Sequence, residues 1–571
     1  MNKKLLVLSC SQAKRDCGGL LPALDRYDGP PYRVLRKFLR DYQWPVGLSI
    51  GVLSAKYGLF GILKGIENYD MRMDADKAGA KASECSKTLK EWATDHQTIH
   101  LSLGKDYLPA VQSVLETLEN KKVFQGPIGM KISQIKSFLY STSPNRRVKA
   151  EVEGGVGKTR YFLPDWDDLL DSEFDFQQDS FSGATREERD DKHCCVLMQP
   201  EQMCDGVLVS LAQRGTSKGP LRRLEGTEAG SLSPLPLRQQ FGLSPDQYLF
   251  GDCGAFSYVN EDDPTISVEQ AVALYEVYGF DFGASVDHIP VRIINKNGKK
   301  TFLSDNERQE RVKTTRENAA VFIEATKERK AQFNPVGTIQ ALNPEEYAQY
   351  VQEYYDLGYR HLAIGGLVPL SDEAIKLIAR AVVAAANELK ERPWIHLFGV
   401  FRPKLQDVFR ELKIDSFDSA TYFRKAWLRS DQNYLSTNGK WYAALRVPMT
   451  SDGRTWQRLI GANADIVRLE REERKVLSLL CRYDRDEVST SEVLDAVLSY
   501  DCHLERSSEI QSMKKRYKET LEDRPWRKCG CPFCKEIGIH ILIFRGANRN
   551  KRRGAHNTLM LYKRIQEGVH V

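Results

Sequence analysis

The stretch NPVGTIQALNPEEYAQYVQEYYDLGYRHLAIGGLVPL, residues 334–370, decides the reading of the fold. Its apolar run NPVGTIQAL contains Gln340 near its end, a helix-like segment PEEYAQYVQEYYDLG follows, and a second apolar run, HLAIGGLVPL, carries Gly365 and Gly366. Strand, helix and strand in that order make the unit of a parallel sheet. The alternation continues in both directions. CDGVLVSLA, QYLFGDCGAF and FDFGASVDHIP precede it and WIHLFGV and IDSFDSA follow, with helix-like stretches such as SVEQAVALYEVYG, ERVKTTRENAAVFIEATKER and DEAIKLIARAVVAAANELK between them. Repeated βα units over this length fit a (β/α)8 barrel better than an open sheet, and such barrels carry their chemistry at the C-terminal ends of the strands.

The rest of the chain divides around this barrel. With 571 residues it is too long for one ordinary domain. Residues 1 to about 140 read as a separate α/β unit, with LLVLS, SIGVLS and IHLSLG as strands and YRVLRKFLRDY and ASECSKTLKEWATDH as helices. From 141 to 195 the sequence is polar and, in its second half, acidic, which reads as a linker or an ordered wrap. The barrel then occupies 196–571, with a charged helical insertion at 465–525 and a metal-binding subdomain at about 526–565. No run of eighteen apolar residues exists, and the charged start reads as a buried strand and not a signal peptide. Twelve scattered cysteines then suggest reduced thiols and a cytoplasmic setting.

Polar residues fall where the barrel strands end. Asp252 and Asp418 close apolar runs, and a carboxylate pair at one barrel mouth can divide labour between nucleophile and general acid/base. Asp287 and Gln340 supply an acceptor and an amide that could read the edge of a planar base, Phe256 and Phe398 could sandwich a ring, and Gly365 and Gly366 allow close approach of backbone. Taken singly, such residues are more often caps and packing; their order along the chain is what shifts the balance. Further on, CGCPFC puts Cys529, Cys531 and Cys534 in six residues, and with a histidine they make a closed tetrahedral set for a structural Zn2+. From Arg524 to Arg553 nine basic residues face one acid, Glu536, which suits a phosphate backbone; Arg545, Arg549, Lys551, Arg552 and Arg553 are the expected nucleic-acid contacts.

In this order the landmarks resemble the tRNA-guanine transglycosylase superfamily, over roughly residues 200 to 565. The family's D-S-G-G-[FY] motif stands here as DCGAF (252–256), its acidic base-reading strand as SVDHIP (285–290), its V-Q-G strand as TIQA, and its I-G-G-L loop intact at 364–367. LFGV (397–400) matches its L-M-G-V segment, SFDS its M-F-D nucleophile strand, and Cys529, Cys531, Cys534 and His556 its zinc site. His540 is a rival fourth ligand, but it lies closer to the cysteines than the family's histidine and within the apolar run IGIHILIF. DCGAF departs from the usual motif by a serine and a glycine, and the histidine spacing is shorter than usual. The tail RRGAHNTLMLYKRI and the large N-terminal unit resemble the DpdA branch, the DNA-guanine transglycosylases.

The resemblance implies base exchange at a glycosidic bond, with Asp418 as nucleophile and Asp252 as proton-transfer group. It implies that Asp287, Gln340, Gly365, Gly366, Leu367 and Gly399 hold a guanine stacked between Phe256 and Phe398. Double-stranded DNA as the polymer, 7-cyano-7-deazaguanine (preQ0) as the incoming base, and a helper ATPase or nuclease-like protein of the same modification system are its further implications. The alternatives are an enzyme acting on tRNA and a non-catalytic nucleic-acid-binding subunit. The N-terminal unit resembles the YaaA-like group through LSCSQAK and LSAKYGLF, which place Cys10, Ser11, Lys14, Ser54, Lys56 and Tyr57 at strand ends.

Overall fold

The computed structural model describes residues 3–152, 154–155, 159–165, 168–186, 188–212, 232–234, 236–428, 431–461, 465–502 and 507–568. Lys4–Ser9 is the centre of a five-stranded sheet, ordered Gly58–Gly61, Leu48–Ser54, Lys4–Ser9, Thr98–Ser102, Lys121–Val123. All pairings are parallel except that Gly58–Gly61 folds back on Leu48–Ser54. The run LLVL is apolar without alternation because both faces are covered. Leu6 and Leu8 enter one core with Leu35 and Phe138, from helices Pro30–Asp41 and Ile128–Tyr140, while Leu5 and Val7 enter another with Cys85 and Leu89 from helix Ala75–Thr94.

The second unit is a closed barrel of eight parallel strands: Arg160–Pro164, Gly206–Ser210, Tyr248–Asp252, Phe282–Ala284, Asn334–Ile339, His361–Ile364, Trp394–Leu397 and Ser416–Asp418. Seven of these are the apolar runs read from the sequence. The first is not: Arg160–Pro164 lies inside the stretch 141–195, so the barrel begins near residue 160 and not at 196. RYFLP is too short between polar neighbours for its periodicity to register. Pairing with Gly206–Ser210 on one side and Ser416–Asp418 on the other recruits it as a stave. The acidic half of the same stretch is an ordered wrap, opened by Leu169–Asp171 pairing antiparallel with Asp191–His193.

The barrel interior is a packed floor of Phe162, Leu208, Phe250, Phe282, Ala284, Val336, Ala363 and Trp394, with the Phe282 and Trp394 rings stacked at 5.2 Å. The two units are joined through Arg329, whose guanidinium bonds the buried Asp25 carboxylate at 2.6 Å and also reaches Glu276 of helix Val268–Tyr278. After the eighth strand come helices Ile466–Asp484, Thr490–Cys502 and Ser507–Asp523, each packed on the next. The chain returns in helix Gly546–Glu567, which packs on Thr421–Lys425 and donates from Tyr562 Oη to Asp205 Oδ1 at 2.8 Å. No described helix is long and apolar enough to cross a membrane.

Candidate active site

The carboxylates stand just above the floor, at the C-terminal ends of their strands. Side chains alternate along Trp394–Leu397 and beyond, so Trp394, His396 and Phe398 form a column rising from the floor to the mouth. His396 is fully buried, and burial pushes its imidazole pKa down, so the ring is neutral. A carboxylate can only accept, so Nε2 carries the proton and donates to Asp418 Oδ1 at 3.1 Å, leaving Nδ1 to accept from Ser416 Oγ at 2.6 Å. The Gly399 amide donates to the same Asp418 oxygen at 2.7 Å. Gly399 therefore orients a carboxylate; the sequence reading had placed it against the base.

Asp252 accepts from Ser210 Oγ at 2.7 Å, the residue beside it in strand register. Burial, then the charge of Asp287, push the Asp252 carboxyl up to about 7. The two carboxylates and the Cys253 thiol lie within 4.8 Å of one another. Asp287 is itself pushed up by burial, against bonds from Cys253 Sγ to Oδ1 at 2.9 Å and from Gln340 Nε2 to Oδ2 at 2.7 Å. Tyr258 Oη braces the Asp287 carbonyl at 2.8 Å.

Gln340 is buried, and its Oε1 has no hydrogen-bond partner among the described residues. A Cβ at Gly365 would sit 2.1 Å from Gln340 Nε2, and one at Gly366 2.7 Å from Oε1, so only glycines let this amide lie against the 365–366 backbone. Leu367 is buried and offers a ligand no side chain. Phe398 is half-buried, while Phe256, in the turn Ala255–Ser257, is 57% exposed and presents an open ring at the mouth. Sequence reasoning missed His396, Ser210, Cys253 and Tyr258. The period-two column through Trp394, His396 and Phe398 was the signal that could have found His396.

The C-terminal clip is assembled. His556 Nδ1 lies 3.7, 3.4 and 3.5 Å from the sulfurs of Cys529, Cys531 and Cys534. Zn–S and Zn–N bonds of tetrahedral zinc imply an S···N separation of roughly 3.5 Å, so the set fits that ion. Nε2 of His556 donates to the Leu435 carbonyl at 2.7 Å, which fixes the tautomer that leaves Nδ1 free to ligate. His540 is elsewhere, 3.6 Å from Cys481 Sγ. Zn2+ here would have all four positions filled by protein and would serve to hold the C-terminal helix in place.

The basic run overturns the expectation placed on it. Arg545, Arg549, Arg552 and Arg553 are buried, at 5, 1, 1 and 0% exposure. Arg545 bonds Asp179 and, at 2.6 Å, Glu473; Arg549 bonds Asp179 and the Phe176 carbonyl. Arg552 bonds Asn548 and the Asp171 carbonyl, Arg553 the carbonyls of Ala426, Ile541 and Ile543, and Lys551 the Leu169 carbonyl. The wrap and the basic helix, far apart in sequence, meet through the Asp179 carboxylate, shared by Arg545 and Arg549, and through backbone carbonyls. The four arginines are internal structure and not a surface for a phosphate backbone, while Lys551 is partly exposed.

In the N-terminal unit the expected residues do converge. Cys10 Sγ lies 3.1 Å from Tyr107 Oη, Ser54 Oγ 2.8 Å from Tyr69 Oη, and the Lys14 and Lys56 ammoniums sit 4.3 and 5.4 Å from the Tyr69 ring centre.

Carboxylates at the C-terminal mouth of a (β/α)8 barrel, beside a Cys3His clip that could hold a metal ion, define the class: a barrel enzyme with a cysteine–histidine subdomain. The family model described as Queuine tRNA-ribosyltransferase matches residues 300–540. A DNA-guanine transglycosylase of Salmonella montevideo is 33% identical over 417 residues, covering 72% of this chain and 97% of that protein. A tRNA-guanine(15) transglycosylase of Methanococcus aeolicus is 26% identical over 198 residues, 34% of this chain and 28% of that one. The chain belongs to the tRNA-guanine transglycosylase superfamily, in its DpdA-type branch, and is a guanine transglycosylase.

Proposed function

We propose that the enzyme exchanges a guanine in DNA for a 7-deazaguanine, 7-cyano-7-deazaguanine being the expected base, through a covalent aspartyl-sugar intermediate. The observation that carries this reading is the division of the mouth carboxylates. Asp418 is held as an acceptor by His396 and Gly399, while Asp252 is poised near 7. A guanosine nucleotide is flipped from the duplex into the mouth. Asp287 and the unpartnered Gln340 Oε1 accept from the guanine N–H donors, the second N–H of the Gln340 amide reaches O6, and Phe256 and Phe398 stack on the ring. Asp418 attacks C1′ as the C1′–N9 bond breaks, and protonated Asp252 gives its proton to the departing guanine. Ionised Asp252 then takes a proton from the incoming base, whose nitrogen attacks C1′ and expels the Asp418 carboxylate. Two displacements retain configuration.

Zn2+ held by Cys529, Cys531, Cys534 and His556 takes no part in these steps. Cys531→Ser should lose the metal and melt at lower temperature, as metal analysis and thermal unfolding would show. The reaction is tested by incubating the protein with labelled guanine or 7-cyano-7-deazaguanine and either DNA or tRNA, followed by nucleoside mass spectrometry. Label in DNA is expected. Label entering tRNA but never DNA overturns the choice of polymer, and no label in either overturns the exchange.

A further inference from the structure

With the arginines of the C-terminal helix internal, the enzyme needs another surface for a duplex. The loop that follows Asp287 carries a two-stranded hairpin, Ile293–Lys296 paired antiparallel with Lys299–Phe302. Asn297 and Gly298 both take positive φ, 53° and 78°, as in the tight turn that matches right-twisted strands. Its side chains alternate. Ile294 is buried, and Lys296 pairs with Asp262 at 2.6 Å, so this face lies against the rim. The other face turns outward with Ile293 directly opposite Phe302 and Asn295 opposite Lys300.

The hairpin is anchored to the loop that carries Phe256. Asn295 N donates to Asn260 Oδ1 at 2.7 Å, and Arg311 bonds the carbonyls of Val259, Glu261 and Ile289, tying both loops to helix Asp305–Arg329. Phe302 is 76% exposed and Ile293 45% exposed. Between residues 292 and 304 there are four basic side chains, Arg292, Lys296, Lys299 and Lys300, and no acidic one. The outward face carries the apolar pair with Lys300, while Lys299, opposite Lys296 on the other face, is exposed where the strand leaves the turn; a basic ribbon two strands wide matches one kind of polymer. The B-DNA major groove admits a two-stranded ribbon, whereas the major groove of A-form RNA is too deep and narrow.

We propose that the 292–303 hairpin is the duplex-docking element. It enters the major groove beside the flipped nucleotide, with Arg292, Lys299 and Lys300 on phosphates and the Ile293–Phe302 pair against the bases next to the vacated position. The inference rests on the DNA reading of the function. Equilibrium binding of a guanine-containing duplex and of a tRNA, over a range of salt concentrations, tests it together with guanine exchange into duplex and single-stranded DNA.

Lys299→Ala/Lys300→Ala should weaken duplex binding about tenfold or more for any sequence and flatten the slope of log affinity against log salt by about two. Phe302→Ala should slow exchange into duplex but not into a single-stranded oligonucleotide. All three positions are exposed, so thermal unfolding should not change. A wild-type protein active on DNA whose hairpin variants keep their duplex affinity and salt slope overturns the hairpin and leaves the function standing. A wild-type protein active on tRNA alone overturns both.

Discussion

Buried charge is arranged in opposite ways in two regions of this molecule. On helix Gly546–Glu567 the buried guanidiniums are met by carboxylates and carbonyls from the acidic wrap, Glu473 and neighbouring loops. At the barrel mouth the donors to Asp252, Asp287 and Asp418 among the described residues are neutral, including Ser210, Cys253, Gln340, His396 and the Gly254 and Gly399 amides. Among the described residues no lysine or arginine pairs with any of the three. Matched charges hold the fold together. At the mouth, carboxylates without a cationic partner are left for a substrate, and burial raises Asp252 and Asp287.

Substitutions can break or sharpen that contrast. The largest effect is expected at Asp418. Asp418→Ala should lower exchange by roughly five to six decades, as loss of a covalent nucleophile does elsewhere, and remove any trapped protein–DNA adduct at unchanged melting temperature. An adduct that survives would move the nucleophile to another residue. Asp252→Asn should cost about two to four decades in exchange. Asp252 is protonated below about 7 and ionised above it, so single-turnover guanine release should fall as pH rises through that value. The asparagine variant should lack this limb of the profile; keeping it would assign the titration to another group.

The matched region should answer in stability. Arg549→Ala leaves Asp179 a buried carboxylate with one partner fewer and should destabilise the protein by roughly 3–5 kcal/mol in denaturant unfolding. The salt dependence of DNA binding should stay as in the parent. A flattened slope without loss of stability would return this helix to the nucleic-acid surface. The smallest effect is expected at His396, a positioning residue. His396→Phe should lower kcat by about two decades with KM held, because only the aim of Asp418 changes. Equal loss in a variant that keeps the Nε2 donor would mean that packing against Phe398, and not the hydrogen bond, is what matters.

Much of the barrel was legible in the sequence because its strands are apolar runs that close on polar residues. YLFGD and SFD announce both their burial and their chemistry. RYFLP does neither: it is a short run whose status as a strand depends on partners distant in sequence. The mouth residues could be read from motif order, but their hydrogen bonds could not, and His396 looked like one more residue of an apolar run. The run at 545–553 was misread for a different reason. Counting charge along a chain says nothing about whether an acidic segment folds onto it, and Asp179 lies more than three hundred residues upstream of Arg549.

The pairing of the first stave with the last has a consequence for how the chain assembles. Asp418 sits in register with Phe162, so the stave that carries the proposed nucleophile is completed by a strand made long before it. Until Ser416–Asp418 has emerged and folded, Arg160–Pro164 and Trp394–Leu397 are open edges whose unpaired amides can recruit other chains. Contacts this distant along the sequence make closure a slow step, and a nascent chain halted before residue 416 is an aggregation hazard. A fragment started at residue 196 would have the same defect permanently: seven staves, two bare edges, and a reactive carboxylate on a strand paired on one side alone.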